Sequence, residues 1–231
     1  MNQNHPHTLI NYLSKFITEH KKRRFEEVLR YRTRYMTVVL EDIYQPHNAS
    51  AVVRSCDCFG VQDLHIIENR NQYRINPDVT LGSSKWVNLF RYNHPGQKNT
   101  EVCLSQLRSH GYRLIATTPH RDDYSPDALP IDGKFALLFG TEETGLTKSA
   151  LDMADEYVRI PMVGFTESFN ISVSAAIILY QLTTKLWCSE YDWRLTEPER
   201  EEIRLQWVRQ ILKKRIETLE QEFFKIYKSE N

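Results

Sequence analysis

Short apolar runs alternate with amphipathic stretches through the middle of this chain. Apolar runs of about five residues predict strands at residues 37–41, 64–67, 87–91, 112–117, 135–139 and 156–160. Apolar residues at helical spacing lie between most of these runs, as in the segment that carries Ala51, Val52, Cys56 and Phe59 and stops at Gly60. Asn48 or Ser50 is expected to cap that helix. This alternation predicts an α/β domain with a mostly parallel sheet, covered by helices on both faces.

Charged amphipathic helices are predicted at both ends of the chain. Residues 8–32 indicate one or two helices, and residues 199–227 indicate one long closing helix. The helix expected over residues 171–188 is apolar nearly all round in its first half, so we expect it to be buried. The pattern therefore predicts three segments, which are an N-terminal basic helical extension (1–36), a central α/β domain (37–187) and a C-terminal helical extension (188–231).

Composition limits the classes of partner. The 231 residues include 30 basic and 30 acidic side chains, so the chain does not bind nucleic acid by bulk charge alone. The segment 15–34, however, holds eight Lys or Arg against three Glu. Such a segment is compatible with a face that contacts phosphates and equally with an ordinary solvated helix surface.

Targeting and metal signals are absent from the sequence. No apolar run approaches the ~20 residues of a membrane span, and the N-terminus lacks the pattern of a secretory signal, so we expect a cytoplasmic protein. Cys56 and Cys58 form the single cysteine cluster, and two residues two apart on a helix point away from each other. We therefore expect buried thiols and no metal site.

Polar residues cluster in three loops that follow predicted strands, where open α/β sheets bind ligands. These loops cover residues 47–54, 140–145 and 160–170. The second has the glycine spacing of a phosphate-binding loop but carries Leu146 in place of the lysine, which argues against a nucleoside triphosphate. Arg54 alone is compatible with an ordinary helix ion pair, and Ser168 and Asn170 with helix capping. Residue chemistry predicts a binding site and leaves its ligand open.

Three motifs extend this prediction. Asn48 to Arg54, followed by Asp57 and Gly60-Val61, resembles the first motif of the SpoU/TrmH family of RNA ribose 2′-O-methyltransferases. The segment 135–146 resembles the second motif, and Ile160-Pro-Met162 with the segment 167–176 resembles the third. The segment 81–86 is similar to a family segment between the first two. The motifs keep the family order over about residues 37–187.

The resemblance implies a deep trefoil knot in the C-terminal third of the domain, an obligate homodimer, and S-adenosylmethionine bound in the knot loops. By position, the cofactor contacts would be Thr117, Phe139, Gly140, Ile160, Met162 and Phe169. The resemblance places Arg54 next to the attacking ribose oxygen, with Asn48, Glu142, Ser168 and Asn170 shaping the site. Because a guanidinium group is not normally deprotonated in proteins, we expect Arg54 to anchor the adjacent phosphate and stabilise developing alkoxide charge rather than act as a base.

The extensions bear on the substrate. Together with the first motif they are similar to the subgroup that methylates guanosine 18 in the D-loop of tRNA. We expect RNA contacts at Lys21, Lys22, Arg23, Arg24 and Lys85. Two alternatives remain, which are methylation of ribosomal RNA or another tRNA nucleotide, and an RNA-binding module without turnover.

Overall fold

A computed structural model describes residues 5–121 and 123–229 of the protein, with side chains over 9–121 and 123–226. The chain forms two compact units. The larger unit is Thr33–Trp193, and the smaller one combines the described parts of Met1–Arg32 and Arg194–Asn231. No helix in these described ranges is long and apolar enough to span a membrane. The expected division by role, with an RNA-contacting extension at 1–36, stays a prediction.

The larger unit is built on a parallel sheet of six strands. The strands are β1 Met36–Glu41, β2 Asp63–Ile67, β3 Asn88–Tyr92, β4 Arg113–Thr117, β5 Phe135–Phe139 and β6 Glu156–Val158. They lie in the order β3-β2-β1-β5-β4-β6. In β1, Val38 pairs in register with Leu64 on one side and Leu137 on the other. The predicted α/β architecture with a parallel sheet is confirmed.

Helices cover both faces of this sheet. The helices of the chain are α1 His5–Ser14, α2 Glu19–Leu29, α3 Pro46–Cys58, α4 Pro77–Thr80, α5 Asn99–Ser109, α6 Lys148–Met153, α7 Ile171–Trp187, α8 Glu197–Leu212 and α9 Ile216–Ser229. Successive residues of a strand point to opposite faces. Val38 therefore joins the cluster that contains residues of α3 and α7, whereas Val39 joins the cluster with α5 and α6.

The start of α3 differs from the sequence prediction. The helix begins at Pro46 with Gln45 as the N-cap residue, so neither Asn48 nor Ser50 caps it. Proline suits the first helical turn because its fixed φ matches the helix and no N–H is lost there. Asn48 consequently lies within the helix and is buried, which leaves its amide group available for contacts outside the helix.

The sequence predicted one long closing helix over residues 199–227, and this prediction is wrong. The segment is divided into α8 and α9 by a short 3₁₀ turn that begins at Lys213, whose φ is 48°. Both α8 and α9 contact α1 as a result of this turn. Arg209 and Glu220 bridge the two helices with an N–O distance of 2.8 Å. The packing of both helices on α1 thus overrides the local helical pattern.

The prediction that α7 is buried holds for one face of the helix. Ala175, Leu179 and Leu182 have no exposed surface. The opposite face carries a row of residues at helical spacing that is exposed by 37–60%. This row consists of Val173, Ile177, Tyr180 and Trp187. These four side chains form one apolar surface on the outer face of α7.

Candidate active site

A cavity of about 270 Å³ opens at the carboxyl ends of β4, β5 and β6. Its walls come from the loops after these strands and from the first turns of α7. All six residues expected to contact the cofactor line it, and they are Thr117, Phe139, Gly140, Ile160, Met162 and Phe169. The structure therefore brings together residues that lie up to 52 positions apart in the sequence (117 to 169).

The loop after β5 closes on itself within five residues. Thr141 and Gly145 exchange two backbone hydrogen bonds of 3.0 Å, and the hydroxyls of Thr141 and Thr144 are 2.8 Å apart. A Cβ atom on Gly140 would lie 2.1 Å from the backbone carbon of Gly145, so only glycine allows this closure. Three backbone amides of the loop, including that of Thr144, which donates to the Thr141 hydroxyl, are thus bonded within it, unlike the open amides of a phosphate-binding loop.

A buried carboxylate that sequence reasoning missed holds the far end of this loop. Glu41, at the end of β1, is 1% exposed and accepts hydrogen bonds from the backbone N–H and the hydroxyl of Thr147, both at 2.8 Å. The hydroxyl of Thr100 donates to it at 2.6 Å. The one sequence feature that could have identified Glu41 is an acidic residue at the end of an apolar strand.

Three predicted site residues meet at one carboxylate. The side-chain amide of Asn48 donates to Glu142 Oε1 at 2.7 Å, and that of Asn170 donates to the same oxygen at 2.5 Å. Asn170 Nδ2 also lies 3.2 Å from Asn48 Oδ1. Glu142 Oε2 receives no hydrogen bond from the described residues. One residue from each of the three motifs thus contributes to this Asn48–Glu142–Asn170 cluster.

Asn170 has a second role at the start of α7. Its Oδ1 accepts the backbone N–H of Ser172 at 2.9 Å and the hydroxyl of Ser172 at 2.6 Å. The capping function expected for an asparagine at this position is therefore present together with the contact to Glu142. The cap fixes the side-chain oxygen, and this orients the amide nitrogen towards the carboxylate.

Ser168 and Arg54 are not part of this cluster. Ser168 lines the cavity but makes no hydrogen bond within the described chain. Arg54 is exposed on α3 and has no ion pair with any described residue. It follows Asn48 by six residues, which corresponds to about 9 Å along the helix axis. The structure therefore leaves the Arg54 guanidinium free for a partner from outside this chain.

The cavity lining carries an excess of negative charge. Glu142, Glu143 and Glu167 line it, against Arg159 as the one permanently charged cation among its described lining residues. This lining repels phosphate groups and favours a ligand that carries positive charge. Apolar side chains such as Leu146 and Ile178 complete the walls. The residues present thus fit a cationic sulfonium nucleoside such as S-adenosylmethionine.

The basic segment divides into surface and structural residues. On α2, Lys22 pairs with Glu19 and Arg24 pairs with Glu27, whereas Lys21 and Arg23 are exposed and have no partner in the described ranges. Lys85 is exposed on the 3₁₀ turn Ser83–Lys85.

Two arginines counted in the basic segment do not belong to a cationic surface. Arg32 is 1% exposed, and its guanidinium lies 5.4 Å from the ring centre of Trp207. Arg34 pairs with Asp63 at 3.1 Å. The cationic surface is therefore smaller than the sequence count indicates.

The four cysteines are divided between the interior and the surface of the protein. Cys56 and Cys103 are buried, and Cys58 and Cys188 are exposed, all as free thiols. Of the two clustered cysteines, Cys56 alone matches the expectation of a buried thiol. Within the part of the chain that the structure describes, no group of three or more His, Cys, Asp or Glu side chains is arranged to hold a metal ion.

Comparison with known proteins agrees with this geometry. The model described as "SpoU rRNA Methylase family" matches residues 35–180. A tRNA (guanosine(18)-2′-O)-methyltransferase of Borreliella burgdorferi is 48% identical over 204 residues, covering 88% of this chain and 91% of that protein. The protein of the same name from Thermus thermophilus is 36% identical over 183 residues, covering 79% and 92%.

A solved structure is similar over most of its length. The crystal structure of the A. aeolicus TrmH/SpoU tRNA modifying enzyme aligns with a TM-score of 0.72 and 28% identity, covering 85% of this chain and 98% of that chain. The motifs, the matched family model and the identity to full-length relatives lead to one conclusion. This chain belongs to the SpoU rRNA methylase family.

Proposed function

We propose that this protein methylates the ribose 2′-oxygen of guanosine 18 in tRNA, with S-adenosylmethionine as methyl donor. The Asn48–Glu142–Asn170 cluster, placed beside a cavity whose lining suits a cationic nucleoside, is the observation that carries this proposal. The names of the relatives from Borreliella burgdorferi and Thermus thermophilus support the choice of tRNA and of position 18.

The cavity residues hold the cofactor and set its orientation. S-adenosylmethionine, when bound, supplies a methyl group that is already activated for displacement. Thr117, Gly140 and Ile160 border the cavity from three strand ends, and the carboxylate of Glu167 provides charge complementary to the sulfonium. The protein's remaining task is to position the ribose hydroxyl in line and to assist loss of its proton.

Glu142 orients the ribose hydroxyl in this proposal. Both amide donors bind its Oε1, so Oε2 is free to accept the hydrogen bond of the 2′-OH. Arg54 binds the adjacent phosphate of the RNA and stabilises the charge that develops on the oxygen. Ser168 lies on the cavity wall, where its hydroxyl contacts the incoming ribose.

The exposed row of α7 supports a homodimer. Val173, Ile177, Tyr180 and Trp187 follow one another at helical spacing and are exposed. A two-fold contact through this row would bury them against the same row of a second copy. Tyr180 also packs against Phe59, the residue that follows α3, with ring centres 6.1 Å apart, so the apolar surface continues beyond α7.

The remaining parts of the proposal concern topology and setting. The resemblance to knotted methyltransferases supports a trefoil knot in the segment from β5 to α7. In this segment β6 lies at the edge of the sheet, and the chain then returns so that α7 packs against α3. A cytoplasmic location is proposed because its substrate tRNA is present there. No metal ion is required, since the methyl donor is activated by its own sulfonium charge.

Transfer of labelled methyl from S-adenosylmethionine to unmodified tRNA transcripts tests this function. Two matched transcripts serve as controls, one with adenosine at position 18 and one with a 2′-deoxyguanosine there. We expect incorporation into the unmodified transcript and none into either control. Incorporation that survives in both controls would move the target to another nucleotide. Cofactor binding without transfer to any tRNA or ribosomal RNA would favour an RNA-binding module.

A further inference from the structure

A second cavity opens at the carboxyl ends of β2 and β3. Its volume is about 490 Å³. Because β1 lies between β2 and β5 in a parallel sheet, both cavities open at the same edge of the sheet. The walls of the second cavity are the loop 68–72 after β2 and the loop 93–99 after β3.

Asp42 holds the first wall, the loop 68–72, in place through hydrogen bonds. This residue has a φ of 52° and is 6% exposed. Its Oδ1 accepts the backbone N–H groups of Asn69 at 2.6 Å, Arg70 at 2.8 Å and Asn71 at 3.4 Å. The side-chain amide of Asn71 donates to the Asp42 carbonyl at 2.7 Å. The loop is therefore held in one conformation before any ligand binds.

Two further sets of contacts fix the base of the cavity and the second wall. The buried carboxylate of Glu68 accepts two hydrogen bonds from the Arg91 guanidinium, at 2.8 and 2.7 Å, and so joins β2 to β3. Asn99 bonds both the backbone N–H and the carbonyl of His94, at 3.1 and 3.3 Å. These contacts occupy the polar groups at the base of the cavity.

Other polar side chains of the cavity have no such partner. Arg70, Gln72 and Gln97 are exposed, and their side chains make no hydrogen bond or ion pair with the residues that the structure describes. Glu68 is the one carboxylate among the described lining residues, and Arg91 neutralises it. The cavity therefore presents one free guanidinium and two free primary amides, with a positive net charge.

We propose that this cavity binds a nucleotide of the RNA substrate that neighbours the methylated one. A guanidinium recognises phosphate, and a glutamine amide pairs with the edge of a nucleobase through one donor and one acceptor. Arg70 takes the phosphate, and Gln72 and Gln97 take the base. The proposal rests on the proposed function, since it assigns this nucleotide to the same RNA chain.

The position of the cavity supports this assignment. Adjacent strands are about 4.8 Å apart, so the ends of β2 and β3 lie about 10–14 Å from the end of β5. This separation suits a flanking nucleotide rather than the target nucleotide itself. The two sites are also joined by hydrogen bonds, because Asn69 donates to Thr100, and both Thr100 and Thr147 donate to Glu41.

Direct binding of an unmodified tRNA transcript to the full-length protein tests the proposal. We expect Arg70→Ala to weaken binding about tenfold and to reduce the slope of log Kd against log salt concentration by about 1. Gln72→Ala should weaken binding about fivefold without a change in that slope. Arg74→Ala is the matched control, since Arg74 is exposed four residues away but does not line the cavity.

Further readouts separate this site from the active site and from general damage. Each variant should keep the wild-type affinity for S-adenosylmethionine, so that the loss is confined to tRNA binding. Equal effects of Arg70→Ala and Arg74→Ala, or an unchanged salt slope in Arg70→Ala, would overturn the proposal. Because binding is measured without turnover, Arg70-dependent binding in a protein that transfers no methyl group would contradict the proposed function alone.

Discussion

At the scale of single residues, the free oxygen of Glu142 determines what the cluster can do. The amides of Asn48 and Asn170 both bind Oε1, and the proposed ribose contact uses Oε2. In Glu142→Gln, one of these two positions becomes an N–H donor, so either the amides or the hydroxyl lose their acceptor. We expect kcat to fall about 100-fold while the Kd for S-adenosylmethionine stays within about threefold.

Single-turnover methyl transfer and calorimetric cofactor binding measure these two effects. Glu143→Gln is the matched control, because Glu143 lines the same cavity and has no hydrogen bond to Asn48 or Asn170. A Glu142→Gln protein with wild-type kcat would remove Glu142 from the mechanism. An equal loss in Glu143→Gln would point instead to the summed charge of the cavity.

The role of Arg54 can be tested by substitution with lysine, which keeps the positive charge but lacks the planar guanidinium group. Lysine presents a point charge and cannot form two parallel hydrogen bonds with a phosphate. We therefore expect Arg54→Lys to lower kcat/KM for tRNA at least about tenfold, with Arg54→Ala lower still. Steady-state kinetics with tRNA as the varied substrate provide the values. Full turnover in Arg54→Lys would contradict the proposed phosphate and alkoxide contacts.

The motifs predicted most residues of the site but not the residues that hold them in place. Asn48, Glu142 and Asn170 lie in motifs that can be recognised in the sequence itself. Glu41 and Asp42 could not be predicted in the same way, because their partners Thr147 and Asn69 are 106 and 27 positions away. Only the parallel arrangement of β1 between β2 and β5 brings these partners to the end of β1.

At the scale of elements, closure of the loop after β5 depends on Gly140. A methyl group there would overlap the backbone of Gly145 and Leu146, which cannot move without opening the loop. We expect Gly140→Ala to lower the free energy of unfolding by about 3 kcal/mol and to abolish tight cofactor binding. Gly164→Ala is the matched control, since nothing lies within 4 Å of its added Cβ.

Urea denaturation and calorimetric binding of S-adenosylmethionine distinguish the two variants. Gly164→Ala should change the free energy of unfolding by less than about 0.5 kcal/mol. If Gly140→Ala bound the cofactor as tightly as the wild type, the closed form of the loop would not be needed for the cofactor site.

The pairing of β2 with β3 gives the fold a pH dependence. His65 of β2 stacks on Phe90, with ring centres 5.0 Å apart, and its Nδ1 lies 3.1 Å from the Tyr92 hydroxyl. Burial, with a smaller contribution from the charge of His110, lowers the pKa of His65 from 6.5 to about 4. Between these two values the unfolded chain binds a proton that the folded chain does not, so stability falls as the pH falls.

Because of this linkage, lowering the pH from about 7 to about 5 reduces the free energy of unfolding by about 2 kcal/mol through His65 alone. His65→Gln removes the titrating group, so its stability should decline less over the same interval. Urea denaturation of both proteins at the two pH values measures the difference. Parallel declines in wild type and variant would show that His65 does not titrate in this interval.

Element boundaries were predictable where the sequence pattern was the only constraint. The strands and the start of α7 at Ile171 lie within two residues of their predicted positions. The break at Lys213 has no glycine or proline to indicate it, and it arises because α8 and α9 both pack on α1. Such a break depends on contacts between distant parts of the chain, which a local pattern does not contain.

At the scale of the whole molecule, the exposed row of α7 governs the proposed homodimer. Val173 on α7 and Val102 on α5 are each 44% exposed, but they lie on helices that cover opposite faces of the sheet. We expect Val173→Glu to give a monomer, because it introduces a charge into the proposed apolar contact. Val102→Glu should leave the dimer intact.

Sedimentation velocity at several protein concentrations reports the oligomeric state of both variants. A wild-type protein that sediments as a monomer throughout would refute the homodimer. If both substitutions dissociated the dimer equally, the contact would not be centred on α7.

The smaller unit has a consequence for the order in which a newly made chain acquires its properties. Its α1 and α2 are synthesised before Thr33–Trp193, but their partners α8 and α9 follow only after all of that larger unit has been made. Until α8 has been made, Phe25 of α2 has no contact with the ring of Trp207, and Glu26 has no hydrogen bond from Arg204. A chain interrupted after Trp193 has every strand and the whole Asn48–Glu142–Asn170 cluster, yet α2 has no partner helix. In biosynthesis, the proposed RNA surface at Lys21 and Arg23 is therefore completed only after α8 and α9 have been made.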